Sequence, residues 1–210
     1  MILTVTDSDR AATWKIASQL GCSAAFERPI MHPPSHSHAH HDHDHDHDGN
    51  CQPRNPQESL RHYSKHGVRF NFPADWTISE ESDEHETTIS LQSDGTSFWT
   101  LMLLKSRPDP DAVLDTVVSA FEQDYEEVDV ISTIDNLGGL PTLGRDLDFV
   151  CYDLVNSAIA RAFQTSLQTV LVLSQGTDHE LQVTRAQMKS ITESLQLDDE
   201  ELLDGDLEDE

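Results

Sequence analysis

Residues 145–176 constrain the fold of this chain more than any other stretch, because three strand-like runs follow one another there. The runs cover 146–155, 158–165 and 169–174. In the third run, residues 170–173 are apolar without interruption, which predicts a central strand covered on both faces. Turn-forming residues interrupt or end the runs: Asp153, Asn156 and Gly176. The stretch therefore predicts the middle of an antiparallel sheet.

Side-chain size alternates in the second of these runs. Ile159, Arg161 and Phe163 share one face of the predicted strand, because successive side chains point to opposite sides. The other face carries only small side chains, from Ala158, Ala160 and Ala162. We expect another element to pack closely on that alanine face. In the first run, Leu147, Phe149 and Cys151 share a face in the same way.

Two helices are predicted within the folded region. Asp109 and Pro110 form an N-cap followed by a first-turn proline, and Thr177 and Glu180 have the spacing of a capping box. The buried stripe of the first helix is Val113, Leu114, Val117, Val118, Phe121 and Tyr125. That of the second is Leu181, Met188, Ile191 and Leu195.

The other segments complete an α+β pattern. Period-two alternation or apolar runs predict strands at residues 68–72, 76–78, 89–91, 98–104 and 127–134. Residues 80–86 read as an acidic loop, 93–95 as a hairpin turn and 138–141 as another turn. We therefore expect an antiparallel β-sheet flanked by helices.

Charge limits the partners of the chain. Its 210 residues contain 39 acidic and 13 Lys or Arg side chains, for a net charge of −26. Such a surface repels nucleic-acid phosphates and anionic membranes. No apolar run approaches membrane-spanning length. Three widely spaced cysteines and no visible targeting segment favour a reduced, cytoplasmic protein. We expect no nucleic-acid binding and no membrane insertion.

Composition divides the chain into four parts. Residues 1–31 hold one short predicted helix, and residues 32–60 form a histidine- and proline-rich linker that is expected to be disordered. The α+β domain covers residues 61–197. Residues 198–210 form an acidic tail, which is either solvating or a contact for a basic partner or calcium.

The linker contains the only dense metal-ligating sequence in the chain: His36, His38, His40, His41, His43, His45 and His47. Neutral imidazole binds zinc, nickel and copper, and a flexible chain can place three or four imidazoles around one ion. The interleaved aspartates attract cations but also raise histidine pKa values, so protons compete with the metal. The alternative is a solvated low-complexity spacer with incidental affinity.

At this level of detail the chain resembles the PsbP-like α/β/α sandwich superfamily. The resemblance covers about residues 62–197. It rests on Gly67-x-x-Phe70-x-x-Pro73-x-x-Trp76, Gly138-Gly139 and Ile191-x-x-Ser194-Leu195. The group includes the extrinsic photosystem II protein, Ran-binding nuclear-import factors and DcrB-like proteins. The resemblance implies helices on the faces of the sheet and a non-enzymatic module that binds proteins or ions, with no catalytic residues to transfer.

Three functions remain open from the sequence. The leading one is a non-enzymatic protein whose domain binds an unknown protein partner and whose histidine arm binds Zn, Ni or Cu. The second is an adaptor or chaperone in which the arm has no metal role. The third is an enzyme with a cleft around Arg161, Asp148 and Tyr152, although no nucleophile–base pair is recognisable. For Arg161 we favour a structural pair with Asp146 or Asp148 over a pocket role.

The remaining candidate side chains favour structural roles. His62, His66, His85 and His179 are scattered, which indicates surface or capping positions. Cys151 reads as a small core residue, and Trp76 and Trp99 as core aromatics.

Overall fold

The computed structural model describes residues 59–198. The seven histidines of the arm, the helix predicted within residues 1–31 and the acidic residues after Asp198 lie outside the described residues. Ten strands and two helices form within 59–198: β1 (Leu60–Lys65), β2 (Val68–Pro73), β3 (Thr77–Ser82), β4 (Glu86–Gln92), β5 (Phe98–Leu104), α1 (Pro110–Asp124), β6 (Val128–Leu137), β7 (Leu140–Cys151), β8 (Leu154–Gln164), β9 (Thr169–Thr177), α2 (Asp178–Glu193) and β10 (Gln196–Leu197).

The strands form two antiparallel sheets. The larger sheet has seven strands in the order β3-β4-β5-β9-β8-β7-β6, and the smaller has the order β1-β2-β10. Every recorded pairing within them is antiparallel, as predicted. Strand β9 is the middle strand of the larger sheet, and its residues from Thr169 to Gly176 are all buried. The prediction of a doubly covered central strand is confirmed.

Alternation along the strands divides the core into two layers. On β9, Leu171 and Leu173 pack in the layer that contains α1. Val170 and Val172 belong to the layer that contains α2 and the small sheet. The helices therefore cover opposite faces of the seven-stranded sheet, as the resemblance implied. The alanine face of β8 packs in the α1 layer through Ala158, Ala160 and Ala162, which confirms the expected close contact.

Helix α1 begins as its sequence predicts. The Asp109 carboxylate accepts hydrogen bonds from the backbone N–H groups of Asp111 at 2.9 Å and Ala112 at 3.3 Å, and Pro110 takes the first helical position. Val113, Leu114, Val117, Ala120 and Phe121 form its buried stripe. The N-cap and the apolar stripe together dock the helix on the alanine face of β8.

Helix α2 confirms only half of the predicted capping box. The Thr177 hydroxyl accepts from the Glu180 backbone N–H at 3.4 Å. The Glu180 carboxylate instead accepts from the Thr96 backbone N–H at 3.0 Å and the Ser97 hydroxyl at 2.8 Å. Partial burial raises the pKa of Glu180, but these hydrogen bonds outweigh it and lower the pKa. A Cβ on Gly95 would meet the Glu180 carboxylate, so a larger residue there would make that side chain shift.

Several predicted boundaries are wrong. The turn after β7 is Tyr152–Asp153, both with positive φ (51° and 61°), and Asn156 lies within β8. This is a two-residue hairpin turn whose geometry follows the twist of the strands. Glu80 and Glu81 lie in β3 and not in a loop. Strand β6 extends to Leu137, and residues 140–141 belong to β7 rather than to the turn. Breaks were predicted at polar residues, but β3 and β6 are edge strands, which tolerate polar residues on a solvent face. Asn156 lies in the interior strand β8, where its buried side chain donates to the Leu154 carbonyl at 2.9 Å.

Candidate functional site

A cavity of about 540 Å³ lies between α2 and the large sheet. Its floor comes from alternate residues of β8 and β9, including Ile159, Arg161 and Val172. Residues of α2 form the opposite wall at helical spacing: Leu181, Arg185, Met188, Lys189, Thr192 and Glu193. The end of β6 and the turn after it close one side, with Asp135, Asn136, Leu137 and Gly138. The cavity thus exists because the bulky face of β8 faces α2.

Arg161 is the most constrained charged side chain of this cavity. Its Nη1 atom donates to the Asp146 carboxylate at 2.6 Å and to the Ala160 carbonyl at 3.0 Å. Its Nε atom lies 3.6 Å from the Asp135 carboxylate, and the side chain is 14% exposed. The predicted pair with Asp146 is therefore confirmed. The pocket role, which the sequence analysis considered less favourable, is also present, because the same side chain lines the cavity.

Gly144 makes room for this arginine. Gly144 lies opposite Arg161 in the β7–β8 register. A Cβ on Gly144 would lie 2.7 Å from the Arg161 Nη1 atom and 2.3 Å from the Thr133 hydroxyl. The guanidinium can therefore lie across the surface of β7 and reach Asp146. The Thr133 hydroxyl beside it is buried and has no hydrogen-bond partner in the described part of the chain.

The cavity is more basic than the domain that surrounds it. Residues 59–198 contain nine lysines and arginines against 23 aspartates and glutamates. Three of those nine cations line the cavity, together with two acids. Lys189 is 3.6 Å from Glu193 in an exposed pair, and Arg185 makes no ion pair with any residue that the structure describes. The lining therefore carries one formal positive charge within a strongly acidic molecule.

Arg185 and Lys189 were not predicted as functional residues from the sequence. They are four residues apart, so they are neighbours on one side of a helix, next to the apolar positions Leu181 and Met188. The available signal for a functional site was this pair of cations, which lies beside the buried stripe of a helix in a strongly acidic chain.

Arg161, Asp148 and Tyr152, the residues of the enzyme hypothesis, do not come together around the cavity. Asp148 accepts a hydrogen bond from the Ser157 hydroxyl at 2.6 Å and is not part of the cavity lining. Tyr152 is 79% exposed in the β7–β8 turn and does not line the cavity either. Arg161 therefore lines the cavity, but Asp148 and Tyr152, which the enzyme hypothesis placed beside it, do not.

Within residues 59–198, no group of three or more His, Cys, Asp or Glu side chains is arranged to hold a metal ion. His62 contacts Asn71 at 3.0 Å, and His85 lies 3.5 Å from Glu84. His66, in the β1–β2 turn, lies 3.1 Å from the Glu80 carboxylate. These histidines thus contact polar side chains on the surface, as predicted.

Glu80 forms a polar cluster that joins the β1–β2 hairpin to β3. It accepts hydrogen bonds from the Tyr63 hydroxyl at 2.9 Å and from Lys65 at 3.2 Å, in addition to the His66 contact. Hydrogen bonds from His66, Tyr63 and Lys65 lower the pKa of Glu80 to about 2. Burial, and then the hydrogen bond to Glu80, raises the pKa of Tyr63. The cluster has no sequence signature, because its members come from two separate hairpins.

The predicted core roles of the aromatic residues are confirmed. Trp76 and Trp99 are buried, and the Trp99 indole N–H donates to the Thr192 hydroxyl at 2.8 Å. Cys151 packs at the margin of the α1 layer.

No helix in the described part of the chain is long and apolar enough to cross a membrane. No protein-family model matches the chain, and no curated protein matches it.

Comparison with solved structures gives likeness at the level of the fold. CyanoP, the cyanobacterial PsbP of Synechocystis sp. PCC 6803, is 11% identical with a TM-score of 0.51, over 71% of this chain and 98% of that chain. LpqN, involved in cell envelope biogenesis of Mycobacterium tuberculosis, is 12% identical with a TM-score of 0.40, over 68% and 91%. PA94 of Pseudomonas aeruginosa, a protein of unknown function, is 11% identical with a TM-score of 0.42, over 64% and 94%. The likeness to CyanoP shows that the described domain has a PsbP-like α/β sandwich fold.

Proposed function

We propose that this chain is a non-catalytic binding protein with two functional parts. The PsbP-like domain binds a protein partner, and the histidine arm binds a divalent transition metal, with zinc and nickel preferred as the first ions to test. The protein acts in the cytoplasm as a metal buffer, sensor or delivery tether. An arm of this composition suits capture and release better than it suits catalysis, which needs a rigid site.

The observation that carries this proposal is the separation of metal chemistry from the folded domain. Seven histidines lie between His36 and His47. Residues 59–198, by contrast, contain no cluster of three ligating side chains. Metal binding by this protein would therefore depend on the arm, and the domain would supply the surface that selects a partner.

Protein binding is supported by the apolar side chains that remain exposed at the β6 side of the sheet. Ile131 and Ile134 project from β6, which is an edge strand of ten residues without proline or lysine. Proline and charged side chains commonly protect natural edge strands. Of these β6 has only Asp129 and Asp135, so its open edge favours association with another chain. Val150, Leu154 and Val155 extend the exposed apolar surface on the adjacent hairpin.

The test is calorimetric titration of zinc and of nickel into the untagged full chain and into a variant with the seven arm histidines replaced by serine. At about pH 7.5 we expect micromolar or tighter binding to the full chain, which weakens at about pH 5.5 because imidazole is protonated there. The serine variant should lose this binding. A chain with Asp42, Asp44, Asp46 and Asp48 changed to asparagine keeps the imidazoles and should retain most of it.

Equal metal affinity in the full chain and the serine variant would contradict the metal role. The second candidate, a protein-interaction adaptor, would then be favoured if deletion of residues 32–48 left the partners of the protein unchanged.

A further inference from the structure

We propose that the cavity beside α2 binds a small amphipathic carboxylate. Arg185 and Lys189 hold the carboxylate group at the cavity wall, and the apolar body of the ligand lies against Ile159, Val172 and Met188. This site is separate from the histidine arm and from the exposed edge of β6.

The charge of the lining selects a monoanion. Arg161 is already neutralised by Asp146 at 2.6 Å and Asp135 at 3.6 Å, and Lys189 is partly balanced by Glu193. Arg185 has no acidic partner in the described residues. With Asp146 counted beside the lining, three cations face three acids, so Arg185 is the cation that is left for a ligand with a single negative charge to pair with. A doubly charged phosphate would instead place its second charge near Asp135 and Glu193.

The Arg161 guanidinium has unused hydrogen-bonding capacity. A guanidinium group has five N–H donors. Within residues 59–198, hydrogen bonds are found for Nη1 of Arg161 but not for Nη2. Arg161 lines the cavity, so this remaining donor can serve a ligand that accepts hydrogen bonds.

The shape and the walls of the cavity fit the apolar part of such a ligand. A volume of about 540 Å³ lies within the usual range for small-molecule sites. Apolar side chains line it from both sides: Leu137, Ile159, Val172, Leu181 and Met188. Carboxylate recognition at the wall and apolar contact inside therefore occur in one continuous site.

The experiment is a fluorescence titration of the full chain with 11-(dansylamino)undecanoic acid, followed by displacement with decanoate, decanol or inorganic phosphate. We expect saturable binding that decanoate displaces and phosphate does not. The double variant Arg185→Gln/Lys189→Gln should bind the probe about tenfold more weakly, because two charge-assisted contacts are lost. Both side chains are exposed on α2, so this variant should fold. Arg61→Gln is the matched control and should bind normally, since Arg61 does not line the cavity.

A cavity-filling variant, Ile159→Trp, should weaken binding of the probe although the charge of the cavity is unchanged. Decanol that displaces the probe as well as decanoate does would overturn the proposal, as would unchanged affinity in the Arg185/Lys189 double variant. Binding that appears only after removal of residues 199–210 would also overturn it, because the acidic tail would then be the occupant. None of these outcomes depends on whether the arm binds metal.

Discussion

The α1 layer of the seven-stranded sheet is filled, whereas the α2 layer, which also contains the small sheet, combines a packed cluster with an open cavity. On the α1 face, Ala158, Ala160 and Ala162 let the helix lie close, and Phe121 and Phe149 fill the remaining space with ring centroids 5.1 Å apart. On the α2 face, Ile159 and Arg161 of the same strand line an open cavity. Side-chain size on alternate residues of β8 thus determines where the molecule is closely packed and where it can admit a ligand.

The contacts that hold the two helical layers also differ in kind. The α1 layer is mainly apolar, with Arg145 of β7 paired to Asp111 of α1 at 2.6 Å. The α2 layer adds polar connections to its apolar cluster, including Glu180 to Thr96 and Trp99 to Thr192. We therefore expect core substitutions to lower the stability of the fold most in the α1 layer. Changes of pH should alter stability mainly through the polar contacts of the α2 layer.

The largest expected effect is the loss of an aromatic side chain from the filled layer. Phe121→Ala should lower the free energy of unfolding by about 4 kcal/mol, because Phe121 is fully buried and its neighbours cannot fill the space. Met188→Ala should cost about 2 kcal/mol, since Met188 already borders an open cavity. Urea unfolding followed by circular dichroism measures both. Equal losses would show that the two layers are packed alike.

The next effect tests the close approach of α1 to the alanine face. Ala160→Leu should destabilise the protein by about 2 kcal/mol, because Ala160 is fully buried under α1 and the added atoms displace the helix. On the opposite face of the same strand, Ile159→Leu should cost less than about 1 kcal/mol, since the cavity accommodates the changed shape. Thermal unfolding compares the pair. A larger loss for Ile159→Leu would contradict the proposed difference between the faces.

The smallest effect concerns the polar cluster around Glu80, which lies on the β1–β2 side of the α2 layer. The pKa of Glu80 in the folded protein, about 2, is below its ordinary value of 4.5, so its contribution to stability is present above pH 4.5 and is lost as the pH falls toward 2. Glu80→Gln should therefore be less stable than the parent near neutral pH, and the difference should shrink on acidification. Urea unfolding of both proteins across this range measures it.

Glu81→Gln is the control for that pH series. Glu81 is the exposed neighbour of Glu80 on β3. A difference between parent and Glu80→Gln that stays constant with pH would show that the cluster holds no shifted carboxylate.

Much of the fold follows from local sequence patterns. The alternation at residues 158–163 predicts both faces of β8, and Asp109 with Pro110 predicts the start of α1. These features depend on neighbours within a few residues, which is the range that a periodic pattern covers. Strands β1 and β10 were not predicted, because β1 is largely polar and β10 has only two residues.

Arg161 was the only cavity residue that the sequence pattern predicted to have a pocket role. A structural pair of Arg161 with Asp146 or Asp148 was predicted, but Asp135, Gly144 and Arg185 reach the same place from different elements. The contacts of the Glu180 carboxylate could not be predicted from the sequence for the same reason. Its spacing from Thr177 favoured a local contact, yet it binds Thr96 and Ser97 from a distant turn. Tertiary partners of this kind are not encoded by spacing along the chain.

The pairing of β9 with β5 has a consequence for the order of folding. Strands β3 to β5 and β6 to β9 are two meanders of sequential hairpins, and the β5–β9 contact is the only ladder that joins them in the described sheet. It brings Leu104 to Thr169, so closing it requires ordering a long intervening segment, which is slow. During synthesis the apolar strand β5 therefore emerges from the ribosome well before β9. Until β9 arrives, one edge of β5 is open to pairing with other chains, and a chaperone that protects that edge would raise the yield of folded protein.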